Sequence, residues 1–274
     1  MVAGRTKAGP KLHPVIPLKD YNPTRRFPVI TLILIAINVG VYFFVQRPFD
    51  ETTSQARFSY EVAAIPCEVV QGRPLTEQEV VRTLQFDDES ACQRNPAPGD
   101  EEVFPNKSVW LALLYSMFLH GSLLHIAGNM LFLWIFGNNI EDRMGIGGYI
   151  GFYLLAGLAA SAAHILVQPD STVPVVGASG AIAGVMGAYL VLFPSVRIRS
   201  LIILFVIVLF RDIPAKWLLG IWFVTQFFTN PNEGVAWVAH VGGFVFGALV
   251  AFFLRERLRP SRVSRLEPAP DPTW

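Results

Sequence analysis

Ser179 is the one hydroxyl in an apolar run from Val173 to Gly187. Gly177 and Gly180 flank it, and Gly184 and Gly187 follow. A serine hydroxyl is a weak nucleophile and needs a base within hydrogen-bond reach. His240 is the base that the spacing offers. Gly243 and Gly247 follow it at i+3 and i+7, so small residues share its helix face. Gly180, Gly184 and Gly187 stack in the same way beside Ser179. Two such faces let helix backbones come close, near enough for a hydroxyl to lie within about 3 Å of an imidazole nitrogen. His125 and Asn129 are four apart and share a face. With the Ser179 backbone N–H they supply neutral donors suited to an oxyanion. The chemistry these types allow is acyl transfer by an activated serine.

The elements that must position these residues are membrane helices. Of 274 residues, 52% are hydrophobic and 16% charged, a low charge for a soluble domain. The net charge of +1 gives no reason to expect a nucleic acid partner. The charges are segregated along the chain, and the segregation predicts topology. Residues 1–27 form a basic, proline-rich arm, expected to be disordered and cytoplasmic, with no cleaved signal peptide. Residues 47–109 are acidic and lie outside by the positive-inside tendency. Residues 255–274 form a basic cytoplasmic tail.

Between these lie six expected spans within residues 28–254. Pro28 to Val45, of about 18 residues, covers about 27 Å and matches the hydrocarbon thickness. Asn38 within it is expected to face protein. The second span carries His120 to Asn129 and runs on through Met130 to Phe136. The third is Tyr149 to Val167, the fourth about Pro174 to Phe193, the fifth Ala215 to Phe228 and the sixth Val235 to Leu254. Trp110 to Leu119 reads as an outer segment in or on the membrane. Leu201 to Phe210 is too short to cross and reads as an embedded or interfacial inner segment. A seventh crossing there would put the basic tail outside and move His240 to the opposite membrane half from Ser179. With six spans Ser179 and His240 each sit five or six residues into their helices, roughly 7–9 Å deep, in the same outer half as His125 and Asn129.

Both cysteines, Cys67 and Cys92, fall in the acidic outer loop, where a disulfide can persist. Two unpaired thiols are the other possibility. The acidic loop itself reads as a solvated surface.

The combined motifs resemble the rhomboid family of intramembrane serine proteases. The resemblance rests on Gly-Ala-Ser-Gly at Gly177 to Gly180 and Ala-His-x-x-Gly at Ala239 to Gly243. His120-x4-His125-x3-Asn129 and Glu141-x-Arg143-x-Gly145 complete it, and it covers about Phe27 to Leu254. It implies an all-α polytopic bundle of six transmembrane helices and a Ser179–His240 dyad without aspartate. It also implies an oxyanion hole from His125, Asn129 and the Ser179 backbone. His120 would support the outer loop, and Gly177, Gly180, Gly184 and Gly243 would support the dyad. No cofactor and no metal are implied. Partners would be the lipid bilayer and transmembrane protein substrates, cut near the outer face. A bacterial plasma membrane fits the plain six-span form. Family members often carry an aromatic residue four after the serine, stacked on the base; here that position is Ala183.

Three other readings compete. His164 is a rival base at similar depth but has no glycine surface beside it, so it reads as an interfacial histidine. An inactive relative would bind membrane helices without cutting them. A small transporter would show inverted repeats and a polar site near the midplane, and neither is evident.

Overall fold

The structure, a computed structural model, describes residues 15–46, 52–204, 207–229 and 236–258. Most of the expected arm before Val15, the tail beyond Leu258 and the turn at Asn230 to Gly234 lie outside these residues.

The chain is mostly helical, with one small sheet. Strand β1 (Val15–Asp20) precedes helix α1 (Val29–Gly40), which continues as a π-turn through Val41–Gln46. Helices α2 (Thr52–Val62), α3 (Pro66–Gln71) and α4 (Glu77–Phe86) follow. Helix α5 (Val109–Tyr115) leads to α6 (Leu123–Phe132), a π-turn (Leu133–Gly137) and α7 (Asn138–Val167). Then come α8 (Ser179–Leu192), strands β2 (Arg197–Leu204) and β3 (Ile207–Pro214), α9 (Ala215–Gln226) and α10 (Trp237–Leu258).

Among the described residues, three helical stretches are long and apolar enough to cross a membrane: Val29–Gln46, Leu123–Val167 and Trp237–Leu258. The second has 45 residues, but Gly145, at φ 69°, breaks its course. Such a φ suits glycine, which has no Cβ to clash. Glu141, just before that break, ties the bundle together. Its carboxylate accepts the N–H groups of Ile30 and Thr31 at 2.9 and 2.8 Å, and the Thr31 hydroxyl at 2.8 Å. Helix α1 has no side-chain cap of its own, so a residue distant in sequence satisfies its orphan donors. Asn38 is fully buried, as its place on an apolar helix requires.

Helix α8 is the central post, buried from Gly180 to Tyr189. Its glycines admit backbones on two sides. A Cβ at Gly180 or Gly184 would lie 2.6 Å from the Ala160 or Ala156 methyl of α7. A Cβ at Gly243 or Gly247 of α10 would collide with the carbonyl of Gly180 or Gly184. Both partners advance by four residues, so α8 and α10 run parallel and in register through these small residues.

Two expectations need correction here. The chain is not all-α: β1, β2 and β3 form an antiparallel sheet in that order. The stretch expected as an embedded or interfacial segment, Leu201 to Phe210, thus carries paired strands, with Leu201 opposite Phe210. Its β-branched residues favour pairing. The arm is ordered from Val15, because β1 pairs with β2 and Asp20 anchors it. The Asp20 carboxylate accepts from Tyr189 Oη of α8 at 2.8 Å and from Asn139 Nδ2 of α7 at 2.7 Å.

The acidic loop is a folded unit that keeps most of its described acidic residues at the surface, Glu68 and Glu79 excepted. Tyr60, Ile65, Cys67 and Leu75 form a small core of their own, and a disulfide joins Cys67 to Cys92. Lys107 and Glu68 pair at 2.6 Å with both side chains 2% exposed. Arg73 holds the Glu79 carboxylate with two bonds, at 2.9 and 2.8 Å. Thr76 and Glu79 form a capping box that starts α4. These two ion pairs lie inside the loop and are invisible to composition.

Candidate active site

Ser179 is the first residue of α8, not five or six residues into a helix. The expected fourth span from Pro174 is extended chain up to Ala178, and it brings the serine down to a helix end. The first intrahelical bond runs from Ile182 N–H to the Ala178 carbonyl. The N–H groups of Ser179 and Gly180 thus precede the helical ladder, at the positive end of the helix dipole. His240 lies in the first turn of α10. The parallel glycine register then brings the two side chains together: Ser179 Oγ is 2.8 Å from His240 Nε2.

Gly177 makes this geometry possible. Its φ of 137° suits only glycine, and a Cβ there would lie 3.1 Å from His125 Nε2 and 3.3 Å from Ser179 Oγ. Its Cα therefore faces both groups. His125 lies in the first turn of α6, where its backbone N–H is capped by Ser122 Oγ at 3.1 Å. Its Nδ1 accepts the Gly121 N–H at 3.4 Å. A ring nitrogen that accepts carries no proton, so in the neutral ring Nε2 bears it. The His125 donor therefore points to the serine side.

Asn129, one turn on, is buried, and its Nδ2 has no acceptor among the described residues. An amide N–H₂ left so in a buried cavity is a donor waiting for an acceptor. His120 is buried behind them. Its N–H and carbonyl are both held by Gln46, at 2.8 and 3.0 Å. Its ring packs edge-on against His125 at 5.2 Å.

These side chains line one cavity of about 690 Å³, shared by His125, Asn129, Ser179, His240, Trp222 and His164. His164 is buried. The serine nevertheless bonds to His240. Two residues were missed in the sequence. Trp222 of α9 lies against His240, with ring centroids 5.9 Å apart at 36°. It supplies the aromatic neighbour that Ala183 does not. Gln226, at the end of α9, has Oε1 2.8 Å from His240 Nδ1. The one signal was their i, i+4 spacing on a mostly apolar helix.

Residues 107–257 match the Rhomboid domain family model. The chain belongs to the rhomboid family. It is similar to Rhomboid protein 1, mitochondrial, of Saccharomyces cerevisiae, at 28% identity over 171 residues, 58% of this chain and 46% of that protein. It is similar to Rhomboid protease GluP of Bacillus subtilis at 41% over 81 residues, 30% of this chain and 15% of that one. Rhomboid-like protein 11, chloroplastic, of Arabidopsis thaliana is 35% identical over 82 residues, 30% of this chain and 29% of that protein. The chain spans less than half the length of these curated relatives. Rhomboid membership and the apolar helices make it an integral membrane protein.

Proposed function

We propose that this rhomboid protein is an intramembrane serine endopeptidase that cuts membrane-anchored helices near the outer face. One observation carries the reading, the 2.8 Å separation of Ser179 Oγ and His240 Nε2. Ser179 Oγ attacks the scissile carbonyl carbon as its proton passes to His240 Nε2. The carbonyl oxygen takes the negative charge and is met by His125 Nε2–H, Asn129 Nδ2–H and the Ser179 N–H. Collapse breaks the C–N bond, and His240 returns the proton to the leaving amine. Water, deprotonated by His240, then hydrolyses the ester and regenerates the serine. The bilayer topology that suits this has helices α1, α6, α7, α8, α9 and α10 spanning, the sheet and both termini in the cytoplasm, and the disulfide-bearing unit outside. A bacterial plasma membrane fits this arrangement.

The test is incubation of the detergent-solubilised protein with a panel of single-span proteins, with cleavage sites mapped by mass spectrometry. Labelling of Ser179 by a fluorophosphonate probe is measured in parallel. Cleavage and labelling, both lost in Ser179→Ala, are expected. Absence of both in the wild-type protein would identify an inactive relative that only binds helices.

A further inference from the structure

We propose that Gln226 is the positioning residue for the base, giving the dyad a neutral third member. A serine nucleophile's base is commonly oriented by a further group, most often a carboxylate. Here Gln226 Oε1 lies 2.8 Å from His240 Nδ1. Its other end is committed: Nε2 donates to the Trp222 carbonyl at 3.0 Å. An amide NH₂ only donates and an amide oxygen only accepts. The orientation of the group thus follows from its partners, and an acceptor faces Nδ1. His240 Nδ1 must then carry the ring proton, which leaves Nε2 bare in the neutral imidazole. Nε2 is the nitrogen beside Ser179 Oγ. One amide therefore selects the only tautomer in which His240 can accept the serine proton.

The same short helix fixes the ring plane. Trp222 packs on His240 and also supplies the carbonyl that holds the amide. Trp222 is itself packed on Phe244 of α10, at 5.9 Å. Gln226 is 7% exposed, in a setting where a buried carboxylate would carry a desolvation cost of several kcal/mol. A neutral amide orients the ring without that cost. When Nε2 takes the serine proton, the Nδ1–H bond to Oε1 becomes charge-assisted and shortens.

The proposal rests on the protease reading, and the experiment separates the two. Wild type, Gln226→Met and Gln226→Glu are compared by kcat, KM and fluorophosphonate labelling of Ser179, from pH 5 to 9. Met keeps length and volume but has no oxygen. We expect its kcat and labelling rate to fall by about 10- to 100-fold, as a misplaced base does, with KM within about 2-fold because no substrate contact is lost. Glu keeps an acceptor at the same place. It should recover most of the loss, with the acidic limb of its rate profile moved to higher pH by the added negative charge. A Met variant with wild-type kcat would overturn the positioning role. So would Met and Glu variants that are equally impaired, since shape alone would then matter. If wild type itself neither cleaves nor labels, the protease reading falls instead.

Discussion

The carbonyl of Gly180 stands where a side chain at Gly243 would begin. Helices α8 and α10 touch backbone to backbone there, one turn below the point where Ser179 meets His240. The 2.8 Å bond between these two depends on that approach. Gly243→Val and Gly184→Val should therefore lose most activity, although neither residue does chemistry. Overpacking of this kind costs about 1–3 kcal/mol, and relief by separation of about 1 Å costs on the order of 100-fold in rate. Gly151 has open space where its Cβ would be, so Gly151→Val should be mild. Cleavage rate with a parallel thermal-stability assay decides, and near-normal rates in both tight-site variants would break the link between packing and dyad.

The site histidines should separate cleanly. Ser179→Ala and His240→Ala should abolish cleavage and stay folded. His164→Ala should keep substantial activity, because His164 lines the cavity without bonding to the serine. Inactivity of His164→Ala together with activity of His240→Ala would reassign the base.

The Ser179–His240 contact was legible because its determinants are short and local. A serine among glycines, a histidine with glycines at i+3 and i+7, and two polar residues four apart declare themselves. Gln226 and Trp222 did not, since an i, i+4 pair on one helix is a weak signal and the contact with His240 exists only across a helix pair. The sheet was hidden for a similar reason. Val15–Asp20 pairs with a strand that begins at Arg197, and an apolar run in a membrane protein reads first as embedded. In the acidic loop, composition recorded charges but not that Glu68 and Glu79 are paired and buried. The start of α8 was misplaced because Pro174 to Ala178 is as apolar as the helix it leads into.

The disulfide-bearing unit grips the chain that leads to the serine. The Cys67 N–H donates to the Ser171 carbonyl, the Thr172 N–H to Glu89 and the Val175 N–H to Ala64, at 2.9, 2.9 and 2.8 Å. The Cys67–Cys92 bridge spans 25 residues, and a loop of that size is worth roughly 3 kcal/mol by closure entropy. Double replacement by serine should loosen the unit. Cleavage is expected to fall several-fold through the 168–177 segment, without loss of Ser179 labelling. Quantitative alkylation of both thiols under denaturing, non-reducing conditions would show that the bridge does not form. An unchanged cleavage rate in the double variant would show that the grip survives without it.

Asp20 provides a pH test of how β1 is held. Burial pushes its carboxyl up to about 6, against the lowering effects of the bonds from Tyr189 and Asn139. A folded-state value above the unfolded value near 3.8 means that the folded protein binds the proton more tightly. Its contribution to stability is therefore greatest below pH 3.8, shrinks as pH rises to about 6, and is constant above. Asp20→Asn has no such charge to bury and can still accept from Tyr189 Oη. The variant should gain on wild type as pH rises from 4 to 6, by about 1–3 kcal/mol at pH 7.5. The measurement is the difference in thermal midpoint between the two proteins in detergent across pH 4 to 8, which cancels titrations they share. A difference that does not change with pH would mean that Asp20 ionises in the folded protein as freely as in the unfolded chain. A wild type that gains on Asp20→Asn with rising pH would mean that the Tyr189 and Asn139 bonds outweigh burial and hold β1 through the charged form.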